Sequence, residues 1–213
     1  MRRRIGILIS GRGSNMEALL RAAGAADYPA DIALVLSNRA DAAGLAIAAG
    51  AGVATAVVDH RPFRGDRAGH EAAIARELDR AGVELLCLAG YMRLLTPFLV
   101  ARYAGRMLNI HPSLLPAFPG LDTHARALAA GVKLHGCTVH LVTEEMDAGP
   151  ILAQAAVPVL PGDSEAMLAA RVLAQEHLLY PLALRLAAIG IAGTAPPADA
   201  AFSNPLPDPG RPF

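Results

Sequence analysis

The sequence predicts an α/β protein: a Rossmann-like, mostly parallel sheet with flanking helices. Three observations predict it. Short apolar runs alternate with amphipathic stretches as far as Pro116, the pattern of successive βα units. Hydrophobic residues make up 54% of the chain while aromatics supply only 4% and Trp is absent, so the core must be aliphatic. With 213 residues the chain can bury one large core. The expected organisation is a single domain over residues 1–190, with a phosphate-binding half over about 1–105, a catalytic and folate half over about 106–190, and a Pro-rich tail over 194–213.

The expected strands before Pro116 are Arg4–Ile9, Ile32–Leu36, Ala54–Val58, Leu85–Leu88 and Met107–Ile110, each an apolar run bounded by turn residues. Helices start near Ser14, Ala42, Asp66 and Pro97. Ser14-Asn15-Met16-Glu17 has the capping-box pattern and puts a helix N-terminus at Ser14. Beyond Pro116 the pattern changes to a short helix over Thr123–Ala130 and two alternating runs, Cys137–Val142 and Ile151–Val157. Asp163 or Ser164 caps a long helix towards Ala188. From Thr194 the chain has no periodicity.

Charge and cysteine content exclude several classes. Lys and Arg balance Asp and Glu at 19 each, so no net field recruits nucleic acid or an anionic membrane. The apolar run after Arg4 is too short for a signal core or a membrane span, and a cytoplasmic protein is expected. Cys87 and Cys137 lie in apolar runs without a Cys-x-x-Cys partner and read as small buried hydrophobes. No His, Asp or Glu spacing resembles a metal site, and no Gly-x-Ser-x-Gly elbow is present.

The richest run is Asn109-Ile110-His111-Pro112-Ser113-Leu114-Leu115-Pro116. On a strand, residues two apart point to the same face, so Asn109 and His111 converge at a strand end. Ser10-Gly11-Arg12-Gly13-Ser14-Asn15 joins a strand to a helix, where backbone N–H groups can hold an anion. Met16 stands where a dinucleotide fingerprint needs its third Gly, and no Gly-Lys-Ser/Thr follows; a phosphomonoester on Gly13, Ser14 and Asn15 fits better. The run from Leu86 to Leu95 reads either as a strand and a core-packing helix or as a slot for a flat heterocycle edged by Arg93 to Leu95. Periodicity does not separate the two. Asp147 lies in a Gly-Pro turn, and His135 and His140 look like polar strand residues.

Five motifs then occur in one order: Ser10 to Asn15, Ala89-Gly90-Tyr91-Met92-Arg93, Asn109 to Pro116, His135-Gly136-Cys137-Thr138-Val139-His140 and Met146-Asp147-Ala148-Gly149-Pro150. Together they resemble the phosphoribosylglycinamide formyltransferases, folate-dependent enzymes of purine biosynthesis, over about Ile5 to Pro181. The resemblance implies the formyltransferase fold and transfer of formyl from 10-formyltetrahydrofolate to the amine of glycinamide ribonucleotide, with no metal. It implies a catalytic set of Asn109, His111 and Asp147, and a ribonucleotide site at Gly13, Ser14, Asn15 and Glu176. The folate site would take Arg67, Met92, Arg93, Leu94, Leu95, Asn109 and Glu144, the loop from Glu144 to Asp147 closing on the pterin. Some members have His where this chain has Asp122. Small molecules are the expected partners, and the chain is expected to be a monomer or weak homodimer.

Competing readings are a formyltetrahydrofolate hydrolase, expected to carry an N-terminal regulatory domain, and methionyl-tRNA formyltransferase, expected to carry a further RNA-binding domain. A non-catalytic folate- or nucleotide-binding module is a third; it has no oxyanion to stabilise and so no need of Asn109, His111 and Asp147 together.

Overall fold

The computed structural model describes residues 2–190; the expected tail over 194–213 lies outside them. Seven strands form one sheet: β1 (Arg3–Ile9), β2 (Ala30–Ser37), β3 (Thr55–Val57), β4 (Leu85–Leu88), β5 (Met107–His111), β6 (Leu134–Leu141) and β7 (Ile151–Pro158). Their spatial order is β3-β2-β1-β4-β5-β6-β7. The first five run parallel, and β6 and β7 add antiparallel strands at one side.

The helices are α1 (Ser14–Ala23), α2 (Ala43–Gly50), α3 (Arg67–Arg80), α4 (Pro97–Arg102), α5 (Thr123–Ala129) and α6 (Glu165–Ala188). Side chains alternate across the sheet. Ile5, Ile7 and Ile9 face one core with residues of α1 and α6, whereas Leu8 joins Leu34, Leu36, Leu86 and Leu88 in a second core under α3 and α4. Truncating a fully buried member such as Ile7 or Leu86 to Ala would cost about 2–5 kcal/mol. Tyr180 of α6 is buried, its hydroxyl 3.0 Å from the Leu88 carbonyl oxygen and 3.2 Å from that of Leu108, where β4 and β5 lie side by side.

Two local details depart from the sequence expectations, and a third is decided between its two alternatives. The first helix does begin at Ser14, but no capping box forms: Gly13 is the N-cap, at φ 77°, and no side chain caps the helix. A left-handed N-cap suits Gly because it has no Cβ. Strand β6 starts at Leu134 rather than Cys137, because His135 and Gly136 pair with Val157 and Ala156 of β7. Gly136 permits this pairing, since a Cβ there would fall on the Ala155 carbonyl. Of the two offered caps of α6, Ser164 accepts from the Met167 N–H, while Asp163 pairs with Arg171 at 2.7 Å.

Candidate active site

In an open parallel sheet, ligands bind beyond the carboxyl ends of the strands where chain direction reverses. Here that switch lies between β1 and β4, the neighbours from which the chain proceeds to β2 on one side and β5 on the other. The loops leaving β1 and β4 therefore meet at one crevice.

The loop after β1 edges a hollow of about 310 Å³ lined by Ser10, Gly11, Arg12, Gly13, Ser14, Asn15, Ala89, Gly90 and Met92. The first turn of α1 keeps backbone N–H groups ahead of its first helical bond, Glu17 N–H to Gly13 oxygen at 2.9 Å. Arg12 is exposed beside them and has no ion pair among the described residues. Asn15 donates from Nδ2 to Glu176 Oε2 at 2.6 Å, and its Oδ1 is buried without a partner. Glu176 is itself buried on α6, and burial pushes its carboxyl above the ordinary range against the opposing hydrogen bond from Asn15.

The loop after β4 decides between the two readings of that run. No helix starts until Pro97, and Met92 and Leu94 are 69% and 61% exposed instead of packed in the core. They border a second hollow of about 180 Å³ with Arg67 and Arg93. Arg67 opens α3, so a separate element brings it to this slot. Leu95 does not line the hollow; it is half-buried against the second core. Met92 lines both hollows and forms their common wall.

Asn109 and His111 end β5, and the antiparallel register sets Asn109 opposite His140 and His111 opposite Thr138. Asp147 reaches them from the turn after β6 in the left-handed conformation, φ 55°, which Asp tolerates better than most residues. Its Oδ2 is 3.5 Å from His111 Nδ1, its Oδ1 is 3.8 Å from His140 Nε2, and the Gly120 N–H donates to Oδ2 at 2.8 Å. His111 Nε2 donates to the Phe118 carbonyl at 3.0 Å, so both ring nitrogens face oxygen acceptors. His111 is buried and Asn109 half-buried. Neither hollow is lined by these three residues.

His140 is the member that sequence reasoning left as a polar strand residue. Its Nδ1 donates to the Leu141 carbonyl at 2.9 Å. Burial is the largest influence and pushes the imidazole below its usual range, which keeps it neutral. The Nε2 lone pair therefore accepts from Asn109 Nδ2 at 3.2 Å. Only the cross-strand pairing reveals this contact.

Two further histidines pair behind the site. His135 Nε2 lies 3.2 Å from His124 Nδ1, and His135 Nδ1 is buried without a partner. Burial first, then His124, brings His135 down to about 4. Glu144 is exposed in the turn after β6 and makes no side-chain hydrogen bond among the described residues. Asp122 is the exposed N-cap of α5, at φ 55°, with no capping bond from its side chain. The described residues contain no group of three or more His, Cys, Asp or Glu placed to hold a metal ion, and no helix among them is long and apolar enough to cross a membrane.

Residues 3–184 match the formyl transferase family. The chain is 47% identical to phosphoribosylglycinamide formyltransferase of Escherichia coli (strain K12) over 178 residues, 84% of each protein. It is also 47% identical to the trifunctional purine biosynthetic protein adenosine-3 of Gallus gallus over 88% of this chain, although it spans only 18% of that protein's length. Among solved structures, phosphoribosylglycinamide formyltransferase from Brucella melitensis superposes with a TM-score of 0.85 at 60% identity, covering 92% of this chain and all of that one. Glycinamide ribonucleotide transformylase 1 from Symbiobacterium toebii gives a TM-score of 0.86 at 50% identity over 89% of each chain. The chain belongs to the formyl transferase family and is a formyltransferase enzyme.

Proposed function

We propose that this enzyme transfers the formyl group of 10-formyltetrahydrofolate to the amine of glycinamide ribonucleotide, a step of purine biosynthesis. The convergence of Asn109, His111 and Asp147 at the end of one strand carries the proposal, in a sheet whose β1 and β4 loops border two hollows. The ribonucleotide phosphate would rest on Gly13, Ser14 and Asn15, with Glu176 towards the glycinamide end. The folate would enter beside Arg67, Met92, Arg93 and Leu94, with Leu95 behind the slot and Glu144 in the turn that closes on it. The two halves share both sites: residues 1–105 supply the phosphate loop and also Arg67, Met92, Arg93 and Leu94 of the slot, and residues 106–190 supply Asn109, His111, Asp147, Glu144 and Glu176.

The amine attacks the formyl carbon, and the carbonyl π electrons move to oxygen to give a tetrahedral intermediate. Asn109 has two amide hydrogens. The one held by His140 fixes the amide plane and leaves the other for the oxyanion. His111, when protonated, offers its Nδ1–H as a charge-assisted donor. Loss of one such donor typically raises the barrier by about 3–4 kcal/mol. Asp147 takes the proton from the attacking nitrogen through a water and returns it to N10 as the C–N10 bond breaks, so no net proton is lost.

The near-zero formal charge gives no field for nucleic acid, and we read the protein as a cytoplasmic monomer or weak homodimer with small-molecule partners. The test is release of deformylated folate with and without glycinamide ribonucleotide, beside a His111→Ala control. Release that requires the ribonucleotide and collapses in the control supports transfer. Release without the ribonucleotide would point to a hydrolase, and ligand binding without turnover to a binding module.

A further inference from the structure

Ser10 belongs to neither the catalytic set nor the anion-holding residues, yet it is buried and bonded to Met92, which lines both hollows. It follows the last residue of β1 and lines the larger hollow. Its backbone N–H donates to the Gly90 carbonyl at 3.1 Å, and its Oγ accepts from the Met92 N–H at 2.8 Å. The Oγ–H donates in turn to Asn38 Oδ1 at 2.6 Å. Asn38 is buried at the end of β2, its carbonyl accepting from His60 Nδ1 at 2.9 Å. One hydroxyl therefore ties the end of β1 to the wall of the slot formed by the loop after β4. That loop is held again at its far end, where buried Glu71 of α3 accepts from the Thr96 N–H and hydroxyl, both at 2.6 Å. Between the two ties, Arg93 and Leu94 line the slot.

We propose that Ser10, held by Asn38, is a positioning residue that couples the two substrate sites: it fixes Met92 relative to the phosphate loop, so that filling one hollow changes affinity in the other. A covalent neighbour of Gly11 cannot shift under an anion without moving the Met92 N–H bonded to it. The coupling rests on the two-substrate function proposed above, and it is reciprocal by linkage.

The experiment measures the Kd of tetrahydrofolate by titration calorimetry, without and with saturating glycinamide ribonucleotide, in the native protein, Ser10→Ala and Ser10→Thr. In the native protein the ribonucleotide should change the tetrahydrofolate Kd by about 5-fold or more, the lower end of ordinary coupling. Ser10→Ala should bring that ratio close to one, with the ribonucleotide Kd measured alone changed by less than about twofold. Ser10→Thr, which keeps the hydroxyl, should restore the ratio. A native ratio near one would overturn the proposal, as would a ratio that survives in Ser10→Ala. If Ser10→Ala does not fold, Asn38→Ala serves instead: it removes the acceptor that holds the Ser10 hydroxyl and should bring the ratio towards one, and an unchanged ratio there would equally overturn the proposal. Formyl transfer by the native protein is assayed on the same preparation, so a failed coupling and a failed transferase function give different results.

Discussion

Asp147 Oδ2 lies 3.5 Å from His111 Nδ1, a carboxylate in a left-handed turn facing an imidazole at the end of β5. Both side chains are nearly closed to solvent, so screening between them is weak. Asp147→Asn keeps the shape and the Gly120 contact but removes the proton acceptor. It should lower kcat by about 10²–10⁴-fold while KM for either substrate changes little. Steady-state kinetics checks this; a kcat near that of the native enzyme would remove Asp147 from proton transfer.

Gly149 sets the position of Asp147. A Cβ at residue 149 would fall on the Leu141 carbonyl oxygen, so Gly149→Ala must displace the turn. It should cost about 1–3 kcal/mol of stability and reduce kcat as well, because Asp147 leaves its place between the two imidazoles. Urea denaturation and kinetics on one preparation test the pair, and an unaltered kcat would dissociate the turn from the chemistry.

Ser14→Glu places a negative charge where the ribonucleotide phosphate is proposed to bind. KM for the ribonucleotide should rise at least about tenfold, equivalent to ~1.4 kcal/mol, with KM for the folate nearly unchanged. Equal losses for both substrates would argue against a phosphate loop at α1.

Burial holds Glu176 protonated to higher pH than an unfolded carboxyl, for which the ordinary value is 4.5. A raised folded value means that its contribution to stability is complete below 4.5 and is lost as pH rises through the raised value. Glu176→Gln stays neutral throughout. From about pH 5 to pH 8 the variant should gain on the native protein in urea midpoint. Midpoints that move in parallel would show that Glu176 does not change its charge between the two pH values.

His135 works in the opposite direction. Its folded value is lowered from 6.5 to about 4, so its contribution is complete above 6.5 and is lost as pH falls towards 4. Histidine NMR should find His135 neutral at pH 5.5, where an unfolded imidazole is mostly charged, and the urea midpoint should decline through the same window. Titration of His135 near 6.5 would contradict its burial.

The sequence by itself determined the α/β class, each of the seven strands, and both ends of β5 and α6 to within a residue or two, because apolar period and turn residues act locally. It also brought Asn109 and His111 to one face, since a strand repeats every second residue. Two things it did not determine. The run from Tyr91 to Leu95 is as apolar as a core helix, and only the fold shows Met92 and Leu94 turned outward to border a hollow. His140 was equally opaque: its place against Asn109 and Asp147 comes from the antiparallel register of β5 and β6. Register joins residues far apart in the chain, and the close backbone approaches at Gly136 and Gly149, beside Ala155 and Leu141, are likewise not encoded by composition.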